Sequence, residues 1–229
     1  MTANVIEALD RIKYLSLFDD AYYFIGGTAL AYYLEHRISE DIDIISSKPL
    51  AYKDIISAIE ALGGRKLRDE NAVALRMAGL FPDEYMLKFD LQGVKLEFFQ
   101  ASTPMQKEII KNAVLSAYEE ANLEILDVKS IAKLKFVALL SRNKSRDLFD
   151  FKTVLEKELL SHDEILDIAM KTKQFPSFQQ LFHFIENKIL PDDDEAVYLD
   201  EDKPINVSFN EIKADTLTIL REKFTDIYI

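Results

Sequence analysis

Tyr23-Phe24-Ile25-Gly26-Gly27-Thr28, followed by Glu40-Asp41-Ile42-Asp43-Ile44, is the stretch on which the reading of this chain turns. The apolar run 22–25 predicts a short buried strand that leads into a Gly-Gly turn. Residues 28–36 carry Leu30, Ala31 and Leu34 on one side, which predicts a helix. Residues 41–45 then alternate as a strand does. Asp41 and Asp43 therefore share one face, while Ile42 and Ile44 point into the core. Gly26 and Gly27 let backbone N–H groups approach a phosphate, and the N-terminus of the following helix adds partial positive charge. Thr28 brings a hydroxyl suited to a phosphate or to a metal-bound water. Two carboxylates on one face repel each other, and a divalent cation removes that cost. Oxygen ligands of this kind suit Mg²⁺. Paired ions about 4 Å apart activate an attacking oxygen and stabilise a leaving pyrophosphate. The expected ligands are thus a nucleoside triphosphate (NTP) and two Mg²⁺ ions. The plainer alternative is a tight turn beside two surface acids on a solvated edge.

A third carboxylate is expected from a neighbouring strand. Glu97, in Leu96-Glu97-Phe98, and Asp90, in Phe89-Asp90-Leu91, both fit. Glu97 is preferred because residues 94–99 form the more continuous strand. For either one, an exposed acid on a strand face is the competing reading.

Working outward, residues 3–17 and 51–62 read as helices, and Gly63-Gly64 stops the second. Residues 72–78, 85–91 and 94–99 read as strands, the last two joined across Gln92-Gly93 as a hairpin. Beyond Phe99 the pattern is helical, with no strand expected. Thr103-Pro104-Met105-Gln106 has an N-cap, a proline at the first helical position and a capping glutamine. Ser161 with Glu164, Ser177 with Gln180 and Ser208 with Glu211 repeat the capping-box spacing. Asp127 is placed to cap a helix running to residue 141. The expected organisation is an α/β domain with a mixed sheet over residues 1–102, then a helical bundle over 103–229. Residues 191–204 read as a linker or loop.

Composition narrows the functions. The chain has 229 residues and no cysteine, so disulfides, thiolate metal sites and a cysteine nucleophile are excluded. Lys and Arg total 28 against 40 Asp and Glu, a formal net charge of -12, which argues against binding nucleic acid through the whole surface. Residues 1–11 read as an amphipathic helix rather than a signal peptide. No apolar run approaches the roughly 20 residues that span a bilayer, so a cytoplasmic location without a membrane partner is expected. One locally basic cluster stands out: Lys129, Lys133, Lys135, Arg142, Lys144 and Arg146. Lys135 and Arg142 are seven apart and so share a helix face. The plainer reading is a solvated face with an Arg146–Asp150 ion pair at four-residue spacing. His36 and Arg37 have a plain reading too, as positive charge at the end of a helix. His162 and His183 lack zinc-like spacing. Phe175, Phe178, Phe182 and Phe184 read as helical core.

The glycine pair, the thirteen residues between Gly27 and Asp41, and the Asp-x-Asp strand resemble the core motif of polymerase-beta-type nucleotidyltransferases. Gly26-Gly27-Thr28-Ala29-Leu30 with His36-Arg37-Ile38-Ser39-Glu40-Asp41-Ile42-Asp43 is more specifically similar to the AbiEii/AbiGii toxin family. A second block, Lys135-x-x-Ala138-Leu139, Arg142 and Arg146-Asp147-Leu148-Phe149-Asp150, resembles that family's lysine helix and the Arg-Asp-x-x-Asp helix after it. The resemblance covers residues 20–155. It implies that Gly26, Gly27 and Thr28 face the triphosphate. It implies that Asp41, Asp43 and a third acid hold metal. Lys135, with Arg142 and Arg146, would neutralise the nucleotide, and Asp147 would orient Lys135 or assist the acceptor. The implied reaction moves an NMP from an NTP to an acceptor RNA (tRNA) or protein, in a toxin accompanied by an antitoxin. A nucleotide- or partner-binding module without turnover, and a phosphotransferase moving the γ-phosphate, are the rival readings.

Overall fold

The structure is a computed structural model and describes residues 1–19, 21–68, 75, 77–191, 198–200 and 203–224. The chain divides into two compact units. The first comprises residues 1–33 and 39–127, the second residues 34–38 and 128–229.

The first unit is built on a seven-stranded mixed sheet. Its strands are β1 (Tyr22–Ile25), β2 (Asp41–Ser46), β3 (Arg65–Lys66), β4 (Met86–Leu91), β5 (Val94–Gln100), β6 (Leu115–Ala117) and β7 (Glu124–Leu126), in the spatial order β3-β4-β5-β2-β1-β7-β6. β1 pairs antiparallel with β2 and parallel with β7, and β2 pairs parallel with β5. The β4–β5 hairpin turns at Gln92 and Gly93, with φ of 55° and 83°. Positive φ at both central residues matches the twist of the flanking strands. Helix α1 (Ala3–Ile12) buries Val5, Ala8, Leu9 and Ile12, while α2 (Gly26–Leu34) follows β1 directly and α3 (Tyr52–Ala61) buries Ile55 and Ile59. Helix α4 (Pro104–Asn112) starts with the predicted reciprocal cap between Thr103 and Gln106. Phe18, Phe89 and Phe98 pack within the core, Phe18 stacking on Phe98 at 6.4 Å and Phe89 meeting it edge-on at 6.1 Å.

Two expectations change here. Strands do occur beyond Phe99, because β6 and β7 complete the sheet. Each has three residues, too few for alternation to register, and β6 is exposed throughout. The strand predicted over residues 72–78 falls mostly outside the described residues; Leu75 and Met77, which are described, are helical.

The second unit contains α5 (Val128–Ser141), α6 (Ser145–Glu156), α7 (His162–Lys173), α8 (Phe178–Glu186), the hairpin β8 (Tyr198–Asp200) with β9 (Lys203–Ile205), and α9 (Phe209–Phe224). α5 buries nine of its fourteen residues, the mark of a central helix. Phe136 on α5 stacks on Phe151 of α6 at 4.6 Å. Ser161 with Glu164 and Ser208 with Glu211 form the expected reciprocal caps. Ser177 does not: its hydroxyl makes no capping bond to α8. The Asp127 carboxylate accepts the Val114 N–H at 2.9 Å, within the first unit.

Candidate functional site

The glycine bend and the carboxylate pair meet in the first unit. Ile25 lies opposite Asp43 in the β1–β2 register. The next residue, Gly26, opens α2 with φ of +84°. A Cβ there would overlap the Asp43 carboxylate and stand 2.8 Å from its Cβ. Only glycine can both adopt this conformation and leave the aspartate room. Gly27 is buried in the first turn of α2. Thr28 is fully buried, and its hydroxyl donates to the Asp41 backbone carbonyl and lies 2.9 Å from the Ser39 hydroxyl. This hydroxyl ties α2 to the start of β2.

Asp41 and Asp43 are half-buried on one face of β2, while Ile42 and Ile44 on the other face are fully buried. In the parallel pairing with β5, Lys95 lies opposite Asp41 and Glu97 opposite Asp43. Glu97 is thus one strand from the aspartates. Asp90 on β4 lies opposite Lys95, a strand further away. Asp90 accepts the Gly93 N–H at 2.7 Å and meets Arg65 at 3.1 Å. The Gly93 bond, aided by Arg65, holds its carboxyl below the usual range. The position of Asp90 anchors a turn, and Glu97 is the acid in register with Asp43. Glu97 is itself engaged, with one oxygen 3.2 Å from Lys88 Nζ and 3.0 Å from Lys95 Nζ. Among the described residues no group of three or more His, Cys, Asp or Glu side chains is gathered as a metal cage. The pair Asp41 and Asp43 nonetheless fits Mg²⁺, which is commonly held by one or two carboxylates together with substrate phosphates.

The second unit carries a buried ion network. Lys135 on α5 is 6% exposed and lies 2.9 Å from Asp150 and 3.5 Å from Asp147, both on α6. Arg142 grips Asp147 with two bonds, at 2.6 and 3.0 Å. About half of the Arg142 side chain remains exposed. Asp150 is fully buried and receives His36 Nε2 and Arg37 Nε, each at 2.7 Å. Burial pushes both carboxyls upward. For Asp147 this is outweighed by Lys135 and Arg142, and for Asp150 by Arg37, Lys135 and the His36 hydrogen bond, so both sit below their ordinary value. The segment bearing His36 and Arg37 is fixed by β8, since Leu199 N–H donates to the His36 carbonyl at 2.9 Å. The His36 ring stacks on Phe149 at 6.1 Å. Arg146 is half-buried on α6.

His36, Arg37 and Asp150 are the residues that the motif-by-motif assignment of roles passes over. The helix-end reading of His36 and Arg37 gives way to a buried role, because both side chains are enclosed and close on Asp150. The available signal was the sequence block that continues from His36 into Asp41.

A family model described as "Nucleotidyl transferase AbiEii toxin, Type IV TA system" matches residues 7–223. The chain belongs to that family. An uncharacterised protein of Aquifex aeolicus (strain VF5) is 29% identical over 153 residues, and this chain's match spans 65% of that relative's length. Among solved structures, JHP933 from Helicobacter pylori aligns with a TM-score of 0.52 at 20% identity, over 100% of this chain and 95% of its own. MenT4, a nucleotidyltransferase toxin from Mycobacterium tuberculosis H37Rv, aligns with a TM-score of 0.55 at 13% identity, over 95% and 82% respectively. At these identities the likeness is one of fold, and it agrees with the expected mixed-sheet nucleotidyltransferase-like architecture of this AbiEii-family chain. No helix among the described residues is long and apolar enough to cross a membrane.

Proposed function

We propose that this AbiEii-family chain is a metal-dependent nucleotidyltransferase that moves an NMP from an NTP to an RNA or protein acceptor. In the cell it would act as a toxin paired with an antitoxin. The observation that carries the reading is Gly26 at φ +84°, with no room for a side chain, against Asp43 at the start of a helix. Asp41 and Asp43 would hold Mg²⁺, with Glu97 the nearest third acid once its lysines release it. The metal would supply positive charge to the triphosphate and to the developing pyrophosphate. Backbone N–H groups at the N-terminus of α2 suit a phosphate. Within the second unit, Lys135 and Arg142, together with Arg146 on the next helix, carry positive charge suited to a nucleotide; Asp147 and Asp150 fix the position of Lys135, and Asp147 that of Arg142. The acceptor hydroxyl oxygen bonds to the α-phosphorus. The bond from that phosphorus to the bridging oxygen breaks, pyrophosphate leaves, and the hydroxyl proton passes to solvent.

A second reading, nucleotide binding without turnover, is favoured by Glu97 being engaged by Lys88 and Lys95. Incubation with NTPs labelled at the α- or γ-phosphate, with Mg²⁺ and cell RNA or protein, separates these. α-Label on an acceptor that disappears in Asp43→Ala is the expected result. Saturable NTP binding by calorimetry with no transferred label supports the binding module. Transfer of γ-label supports a phosphotransferase instead.

A further inference from the structure

A cavity of about 930 Å³ lies wholly within the second unit, where the end of α5, the end of α7 and α8 converge. Arg142, Lys173 and Lys188 line it, and among the described residues no Asp or Glu does. In a chain with 40 acids against 28 bases, that segregation of charge calls for a ligand.

Lys188 makes the case sharper. It is only 8% exposed, its Nζ donates to the Arg142 carbonyl at 3.0 Å, and the Phe184 ring lies 4.7 Å away. Among the described residues no carboxylate stands within ion-pair distance of Lys188 or Lys173. Burial lowers the Lys188 pKa; Asp147 opposes that shift at longer range, and Lys173 adds to it. A buried cation without a counter-ion is costly, and an anion entering the cavity removes the cost.

Two further features narrow the anion. Phe175 and Phe184 are half-buried in the wall, with ring centroids 5.4 Å apart. Asn143 uses its Nδ2 on the Ile189 carbonyl at 2.7 Å, while its Oδ1 is buried with no partner among the described residues. Cations, an aromatic wall and an amide acceptor together suit a phosphate chain that carries bases. A free inorganic anion would use only the lysines.

We propose that this cavity binds single-stranded nucleic acid, with backbone phosphates on Lys173, Lys188 and the exposed edge of Arg142 and a base against Phe175 and Phe184. It names the acceptor of the nucleotidyl transfer as a nucleic-acid strand and so rests on that reading.

The test measures anisotropy of a fluorescein-labelled single-stranded RNA of about 12 nucleotides, a length within the usual single-strand site sizes. The full chain is titrated without NTP over roughly 50 to 200 mM salt. Wild type should bind with a steep salt dependence. Lys173→Gln, at an exposed position, should weaken binding and flatten the log–log salt slope by about 0.7. Phe175→Ala should cost about fivefold or more. Lys188→Gln should act like Lys173→Gln, with a melting curve to show that it is folded. Unchanged binding in Lys173→Gln and Phe175→Ala overturns the site. So does equal binding of a duplex or of polyglutamate. Asp43→Ala reports on the other reading, since it should bind RNA as wild type does. Lysine-dependent binding with no label transferred by wild type would sink the transfer reading alone. RNA labelling at the wild-type rate by the two variants would sink this site alone.

Discussion

The β2 face of the first unit and the Asp150 network of the second both gather acids beside bases, and they are held in opposite ways. Asp41 and Asp43 stand half-buried on one face of β2, with a glycine beneath Asp43 that leaves its carboxylate room. Asp150 is wholly enclosed, and His36, Arg37 and Lys135 all close on it. The first arrangement keeps two like charges together on one strand face. The second matches its charges internally and fixes three chain segments. The first is the proposed metal site, and the second works as a lock.

Breaking the lock should have the largest effect on stability. Asp150→Ala leaves Arg37 and Lys135 buried without their shared partner, a loss of about 3–5 kcal/mol. Urea unfolding followed by circular dichroism would measure it, and a loss under 1 kcal/mol would show that the network is not what holds this unit together.

The site should respond the other way. Asp43→Asn should cut transfer by about 10²–10³-fold, the usual scale for losing one charge-stabilising group. Its melting temperature should stay close to that of wild type, since asparagine keeps the shape of this half-buried side chain. A variant that melts well below wild type would place Asp43 among the structural acids. Gly26→Ala tests the same place from below. Positive φ alone costs about 1–3 kcal/mol for a residue with a Cβ, and the added methyl must also push Asp43 aside. Both stability and transfer should therefore fall.

The two regions also differ in how readily the sequence discloses them. Asp41 and Asp43 alternate with buried isoleucines over residues 41–44, so period-2 spacing reveals their shared face. The Gly-Gly pair that opens the helix is equally local. The fold class was legible because most elements were long enough to show a period, as in β5 and α1. β6 and β7 were not, at three residues each. Asp150 meets His36 across 114 positions of chain, and no spacing rule spans that distance. The resemblance pairs Lys135 with Asp147, but seven-residue spacing places Lys135 only on a face with Arg142 and says nothing about Asp150, which lies nearer to it. Ser177 had the letters of a cap without its geometry.

Acid should separate the lock from the site more finely. Asp147 and Asp150 have folded pKa values below the ordinary one, so their stabilising contribution is present above about pH 4 and is lost as pH falls through the folded values. Unfolding free energy measured from pH 6 to pH 3 should decline, more steeply toward the acid end. Asp150→Asn should flatten that decline, having no proton to gain. An identical pH slope in the variant would mean that other carboxylates govern acid unfolding.

The smallest effect concerns the third acid. Asp90 sits two strands from Asp41, and its oxygens go to Gly93 N–H and Arg65. Asp90→Ala should lose about 1 kcal/mol or less, the worth of one exposed turn bond. The Mg²⁺ dependence of NTP binding should not move. Glu97 lies in register with Asp43, so Glu97→Gln should raise the Mg²⁺ concentration needed, read by calorimetry at fixed NTP. It should also free Lys88 and Lys95, whose positive charge attracts the triphosphate. Weaker response to Mg²⁺ with NTP affinity held or raised is therefore the signature of Glu97 as a ligand. A shift in Mg²⁺ dependence on changing Asp90 instead would move the metal site outward along the sheet, away from the glycine bend.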